Sequence, residues 1–348
     1  MEKKREERLD IIRIFSLICV VCVHFFLNSE FYEEIVYGNK MLIMCILRSF
    51  FIICVPMFIT LTGYLMCKKE LNSKYYKGII KSLAIYIICS TIYFLFEKFY
   101  LNKSNNLFLN ILSFRGTQYS WYLEMYIGLF LLIPFLNLIF NNLKDRKQAN
   151  KLLVTLMFLI GVPSVINIKT KILPSWWTSI YPIFYYFLGA YLNKYEIKLS
   201  KEWNLVLLIV VVFLDGIFNF HMSFGSKFVM TTYNDYQSVI IMFITFLTFN
   251  LMLKIKFKNE SKIRSYILKI LSDACLGAYL ISCIFDNIYY NKLKIIISNM
   301  QDRLIYAPII TLAVLLSSLI ISITINLLYN AIRYVIKKVS IYRLKKER

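Results

Sequence analysis

Long apolar runs separated by short polar, charged segments dominate this chain. Ten runs stand out, at roughly 9–28, 42–67, 79–100, 120–140, 152–168, 179–193, 204–220, 236–255, 266–290 and 304–330. About 20 apolar residues suffice for a helix to cross the hydrocarbon core of a bilayer. The predicted fold is all-α, a polytopic membrane protein of about ten transmembrane helices. The sixth and seventh runs are short and interrupted by Gly and polar residues. Residues 1–348 read as a single transmembrane domain, with its first span at about 9–28, its last at about 304–330 and no appended soluble domain. The first run follows a charged start but has no small-residue cleavage site, so it reads as a retained span.

Composition agrees with that pattern. Hydrophobic residues make up 59% of the chain and the mean hydropathy is +0.60, more apolar surface than a water-soluble domain of this size needs. In a soluble protein a formal charge of +21 would suggest a nucleic-acid partner. Here most of the 41 Lys and Arg fall in the two tails and the even-numbered loops, the distribution that sets membrane orientation. No nucleic acid is expected. Both termini are expected on the cytoplasmic side of the cell membrane. "NSEFYEEIVYGN", with its three Glu, and "KTKILPSWWTS", with Trp176 and Trp177, then face outward.

Eight cysteines lie within or at the edge of apolar runs. "CVVC" (Cys19–Cys22) has a redox or zinc spacing, but without a second pair the thiols read as packing residues, and no disulfide is expected. With two histidines in all, no metal site is expected. The chain has no Gly-x-Ser-x-Gly elbow, phosphate-binding glycine loop or His-Glu-x-x-His motif.

Candidate chemistry begins in the first span, "RLDIIRIFSLICVVCVHFF" (Arg8–Phe26), which carries Arg13 and His24. Eleven residues return to nearly the same helix face, with an axial separation of about 16 Å. The two residues therefore share a stripe that can line one cavity, although they cannot touch. An ionisable residue inside a membrane is costly and usually faces a wet interior. Arg13 also has a structural reading, as a residue snorkelling to the headgroups, and His24 has one as a hydrogen-bonded packing residue. His24 is the only histidine in an expected span; His221 falls in the loop after the seventh. In an enzyme working near neutral pH, His24 is the natural proton acceptor.

Other candidates are weaker. Glu124 is suited to orient His24 or to bind a sugar hydroxyl. Trp121 suits either sugar stacking or anchoring at the interface. Asp215 and Asp286 are expected to be hydrated or paired with outer lysines, and Arg48 to pair with a carboxylate on a neighbouring helix. Gly63 suits close helix packing or a local break.

The first span closely resembles the first helix of acyltransferase family 3, membrane O-acyltransferases related to O-antigen acetylases, through Leu9, Asp10, Arg13 and His24. "VPMFITLTGYLMCKK" (Val55–Lys69) resembles the family's Pro-Phe-Phe-Ser-Gly-Tyr stretch, and "SWYLEMYIGLFLLIPFL" (Ser120–Leu136) its Trp-Phe-Leu helix. "YPIFYYFLGAYL" and "LSDACLGAYLISCIF" resemble later family helices more weakly. The chain also departs from the family pattern. Lys68 and Lys69 stand where some members carry Arg-x-x-Arg, and a lysine pair binds phosphate only as point charges. Ordinary positive-inside charge is the other reading of that pair. Ser282 stands where many members have a histidine, and the hydrolase-like carboxyl-terminal domain common in the family is not seen.

The resemblance implies acyl transfer, most simply of acetyl, from cytoplasmic acyl-CoA as co-substrate to a carbohydrate hydroxyl. The acceptor would belong to a surface polysaccharide, a lipid-linked glycan or peptidoglycan. Arg13, Lys68 and Lys69 would attract the CoA phosphates, and His24 would act as base or as a transient acyl carrier. The competing class is a glycan or lipid transporter or flippase, against which the chain shows no inverted half-repeat.

Overall fold

A computed structural model describes residues 5–346 except 169, 258 and 260. Its helices are α1 (Glu7–Asn28), α2 (Gly38–Phe51), α3 (Cys54–Met66), α4 (Ser73–Tyr76), α5 (Ile80–Phe99), α6 (Leu107–Leu112), α7 (Trp121–Asn141), α8 (Arg146–Leu156), α9 (Val162–Ile166), α10 (Tyr181–Lys194), α11 (Lys201–Ser223), α12 (Val239–Leu253), α13 (Lys262–Ile296) and α14 (Ala307–Lys346). Among the described residues the only β pairing is two isolated bridges, Ile35 to Lys227 and Val36 to Phe224. The protein is an all-α polytopic membrane protein. Among the described residues, nine helical stretches are long and apolar enough to cross a bilayer.

The expected sixth span is present as α10, but it has 14 residues, about 21 Å of helix against a hydrocarbon core of about 30 Å. It stays helical because protein surrounds it: Phe184 through Leu192 are all buried. It still joins the two ends of the bundle. Tyr181 packs on Tyr236 near one end, and Asn193 Nδ2 donates to the Tyr64 carbonyl near the other. Among the described residues, nine stretches therefore have the length and apolarity of a membrane span where the sequence pattern predicts ten, and α10 is the run that falls short.

The second span is broken. α2 stops at Phe51 and α3 starts at Cys54, with Pro56 in its first turn. A proline at position 56 has no N–H to give the Ile52 carbonyl, so the helical ladder is interrupted there. Gly63 and Gly189 bring α3 and α10 together. A Cβ at Gly63 would strike the Tyr186 backbone, and one at Gly189 the Thr60 and Tyr64 backbone.

α1 is buried nearly all round, by Leu9, Ile12, Leu17, Cys19, Val20, Val21, Val23, Phe25 and Phe26, as befits a central helix. It packs against α3 and α13. In contrast, α11 exposes Leu205, Val206, Ile209, Val210, Phe213 and Leu214, a face that only lipid satisfies. The described start of the chain and the latter half of α14 lie at one end of the bundle. Arg5, ahead of α1, reaches Asp273 at 3.2 Å, and Asn326, in the latter half of α14, donates to the Asp273 carbonyl. Cys19, Cys22, Cys45, Cys54, Cys89, Cys275 and Cys283 are free thiols.

Candidate active site

Three cavities follow one another along α1. The first, about 420 Å³, opens at the end that carries the chain termini, and Arg5, Glu6, Asp10, Arg13, Lys68 and Lys69 border it. The second, about 270 Å³, is largely apolar, with Phe58, Leu61, Ile85, Leu123 and Leu276 in its walls and Arg13 and Lys81 at its rim. The third, about 380 Å³, holds His24 beside Tyr119, Trp121, Arg48 and Asp235. Adjoining cavities share walls. Arg13 and Leu65 border the first and second, and Val20, Val55 and Tyr279 border the second and third. The Arg13–His24 stripe therefore follows a succession of hollows, as its helical spacing predicts.

At the first cavity, Arg5 clamps both oxygens of Asp10, with Nε at 2.7 Å and a terminal nitrogen at 2.6 Å. This hydrogen bond, more than any other influence, raises the affinity of the Arg5 guanidinium for its proton. Asp10 also lies 3.8 Å from Arg13. Arg13 donates to Ser272 Oγ at 2.6 Å, which holds the guanidinium toward α13 at the junction of the two cavities. Four cations and two carboxylates line this pocket, an excess of positive charge that suits a polyanion.

His24 is 9% exposed, and Nδ1 lies 3.5 Å from Asp286 Oδ2, an ion-pair distance rather than a hydrogen bond. Tyr119 donates its hydroxyl to the same Asp286 oxygen at 2.7 Å, and its ring packs on the imidazole with centroids 3.9 Å apart. Asn28 donates to the His24 carbonyl and to Tyr119 Oη, and Tyr279 donates its hydroxyl to the Tyr119 carbonyl. With Nδ1 on the Asp286 side, Nε2 is the nitrogen left for a reacting group. A neutral imidazole backed by a carboxylate and free at its other nitrogen can take a proton from a hydroxyl.

Residues 6–324 match a family described as an acyltransferase domain, acyltransferase family 3. The chain belongs to this family. Comparison with curated proteins and with solved structures returned no match.

In this acyltransferase, Arg13, His24, Lys68, Lys69 and Trp121 all border one of the three cavities. Glu124 does not: it is exposed on α7, borders none of them and takes no part in holding His24. The carboxylate that faces the imidazole is Asp286, which is fully buried instead of hydrated. Asp215 is also buried, accepting from Asn219 at 3.0 Å. Among the described residues, Arg48 donates to no carboxylate. It donates to Tyr32 Oη, the Asn234 carbonyl and Met230 Sδ, and its guanidinium lies over the Phe228 ring. His221 closes α11 rather than lying in the following loop, and it borders none of the three cavities. Ser282 donates within its own helix, to the Tyr279 carbonyl, and Asp286 stands one turn further along the same face. Sequence reasoning missed Asp286 as a site residue and missed Tyr119 altogether. An ionisable residue within a predicted span was the available signal for Asp286.

Proposed function

We propose that this acyltransferase moves an acyl group, in the first instance acetyl, from cytoplasmic acyl-CoA to a hydroxyl of a cell-surface carbohydrate or its precursor. The observation that supports this reading is the succession of cavities, basic at the end bearing the termini and ending on a carboxylate-backed histidine.

The CoA phosphates would sit against Arg13, Lys68, Lys69 and Arg5, and the pantetheine arm would thread the apolar second cavity. The thioester carbonyl then lies near His24. Nε2 of His24 takes the proton as the acceptor oxygen attacks the carbonyl carbon. Asp286 balances the imidazolium that forms, and collapse of the tetrahedral intermediate breaks the C–S bond. The departing thiolate takes the proton back. The alternative route, in which His24 carries the acyl group first, uses the same residues.

The test uses isotopically labelled acetyl-CoA and membranes containing the full chain. His24→Ala is expected to abolish labelling of glycan while leaving protein abundance unchanged. Arg13→Ala is expected to raise the KM for acetyl-CoA. Full activity in His24→Ala removes the histidine from the chemistry, and glycan movement without acylation replaces the reading with a flippase.

A further inference from the structure

The third cavity has a wall that donor binding and proton transfer do not use. On one side, Trp121 at the start of α7 stacks on Tyr236, with centroids 5.9 Å apart and planes at 22°. Trp121 is 40% exposed, so its indole remains open to a ligand. Next to Tyr236 in sequence is Asp235. One of its oxygens accepts from the Tyr236 backbone N–H at 2.8 Å, and among the described residues the other accepts no hydrogen bond.

This short segment is held from two directions. Arg48 donates to the Asn234 carbonyl at 3.0 Å, and Tyr185 donates to the Tyr236 carbonyl at 2.7 Å. Thr231 and Asn234 close a reciprocal capping box just before it. A loop fixed in this way presents the carboxylate and the ring in one orientation, which is the requirement for a binding subsite.

The residue types define the ligand. An aromatic face beside a carboxylate suits a pyranose ring, whose apolar C–H face packs on the indole while its hydroxyls donate to the carboxylate. Charge narrows the class. Arg48 and Asp235 border the same cavity with opposite signs, and Asp286 lies behind His24. Arg48 is 1% exposed and already committed to Tyr32, Asn234 and Met230. An anionic sugar would meet the Asp235 carboxylate with the negative charge of Asp286 behind His24, and the one guanidinium nearby is turned to other partners.

We infer that the Trp121–Asp235–Tyr236 wall is an acceptor subsite for a neutral sugar ring, with Arg48 holding the loop that presents it. The inference rests on the acyl-transfer reading above and adds the class of acceptor. A neutral ring seated there brings a hydroxyl to His24, and a uronate or phosphorylated ring is rejected.

The experiment uses the full chain in membranes with acetyl-CoA and two panels of soluble trisaccharides. One panel contains trimers of N-acetylglucosamine, mannose and galactose, and the other trimers of glucuronic and galacturonic acid. CoA release above the rate of hydrolysis to water is measured. At least one neutral trimer is expected to stimulate release, and the acidic trimers are not. With the stimulating trimer, Trp121→Ala and Asp235→Asn are each expected to raise its KM roughly tenfold with the KM for acetyl-CoA unchanged. Trp121→Phe, which keeps an aromatic face, is expected to stay near the parent value and so separates loss of stacking from misfolding. Preference for an acidic trimer, no stimulation by any neutral one, or an unmoved sugar KM in both variants overturns the subsite while leaving acetyl-CoA hydrolysis intact. A wild-type protein that neither binds nor turns over acetyl-CoA overturns the acyl-transfer reading itself, and the subsite with it.

Discussion

Asp286 Oδ2 serves two groups at once, accepting from Tyr119 and facing His24 Nδ1. A carboxylate in that position fixes the imidazole and offsets the charge it gains, so its neutral isostere should weaken the chemical step and spare donor binding. Asp286→Asn is expected to lower kcat about 100-fold with the KM for acetyl-CoA unchanged, measured by CoA release. Tyr119→Phe, which removes only the hydroxyl hydrogen bond, is expected to cost less. An Asp286→Asn protein of normal kcat would reduce the carboxylate to a packing role. His24 was legible in the sequence because histidine is scarce and stands in a lipid-length run. Asp286 was harder to place because its partner is set by the packing of α1 against α13, which a single sequence does not display. Glu124 shows the converse: a carboxylate one turn from Trp121 attracts attention, yet helix phase turns it out of the site.

Helix ends were less legible than helices. The run at 42–67 predicts one rod, but Pro56 splits it and places Ile52, Cys54 and Val55 on the wall of the third cavity. α10 was visible as a weak span because its apolar run is short; its partners, not its length, keep it in place. The α3–α10 contact depends on Gly189, where any side chain meets the Thr60 carbonyl. Gly189→Leu is expected to destabilise the fold by about 1–3 kcal/mol or more, as overpacking of a tight interface does. Gly128→Ala, in α7 with open space around it, is expected to be neutral or slightly stabilising. Thermal unfolding of the two variants in detergent tests the comparison, and equal melting temperatures would refute it.

Across the whole molecule, the end opposite the termini is tied by Arg303, which precedes α14. It donates to the Ser29 carbonyl at 2.9 Å, to Glu30 at 2.7 Å and to the Ile297 and Ser298 carbonyls, joining the exit of the first helix to the approach to the last. The hydrogen bond from Arg303 holds the Glu30 carboxyl below its ordinary 4.5. A lowered folded-state value means that this contribution is full above the unfolded value and is lost as pH falls through the folded one. Glu30 is half exposed, so the effect is small. Melting temperature is expected to fall as pH drops below about 4.5, and Glu30→Gln to flatten that decline. An identical pH profile in the variant would assign the decline elsewhere. The distribution of Lys and Arg predicts both chain ends on one side, and the described start of the chain and the latter half of α14 share one end of the bundle. The shared waist of Val20, Val55 and Tyr279 has a consequence for bioenergetics. A corridor wetted from both leaflets would short-circuit the proton gradient, and two aliphatic side chains and a phenol with its hydroxyl already given to the Tyr119 carbonyl offer water few partners where the two hollows adjoin.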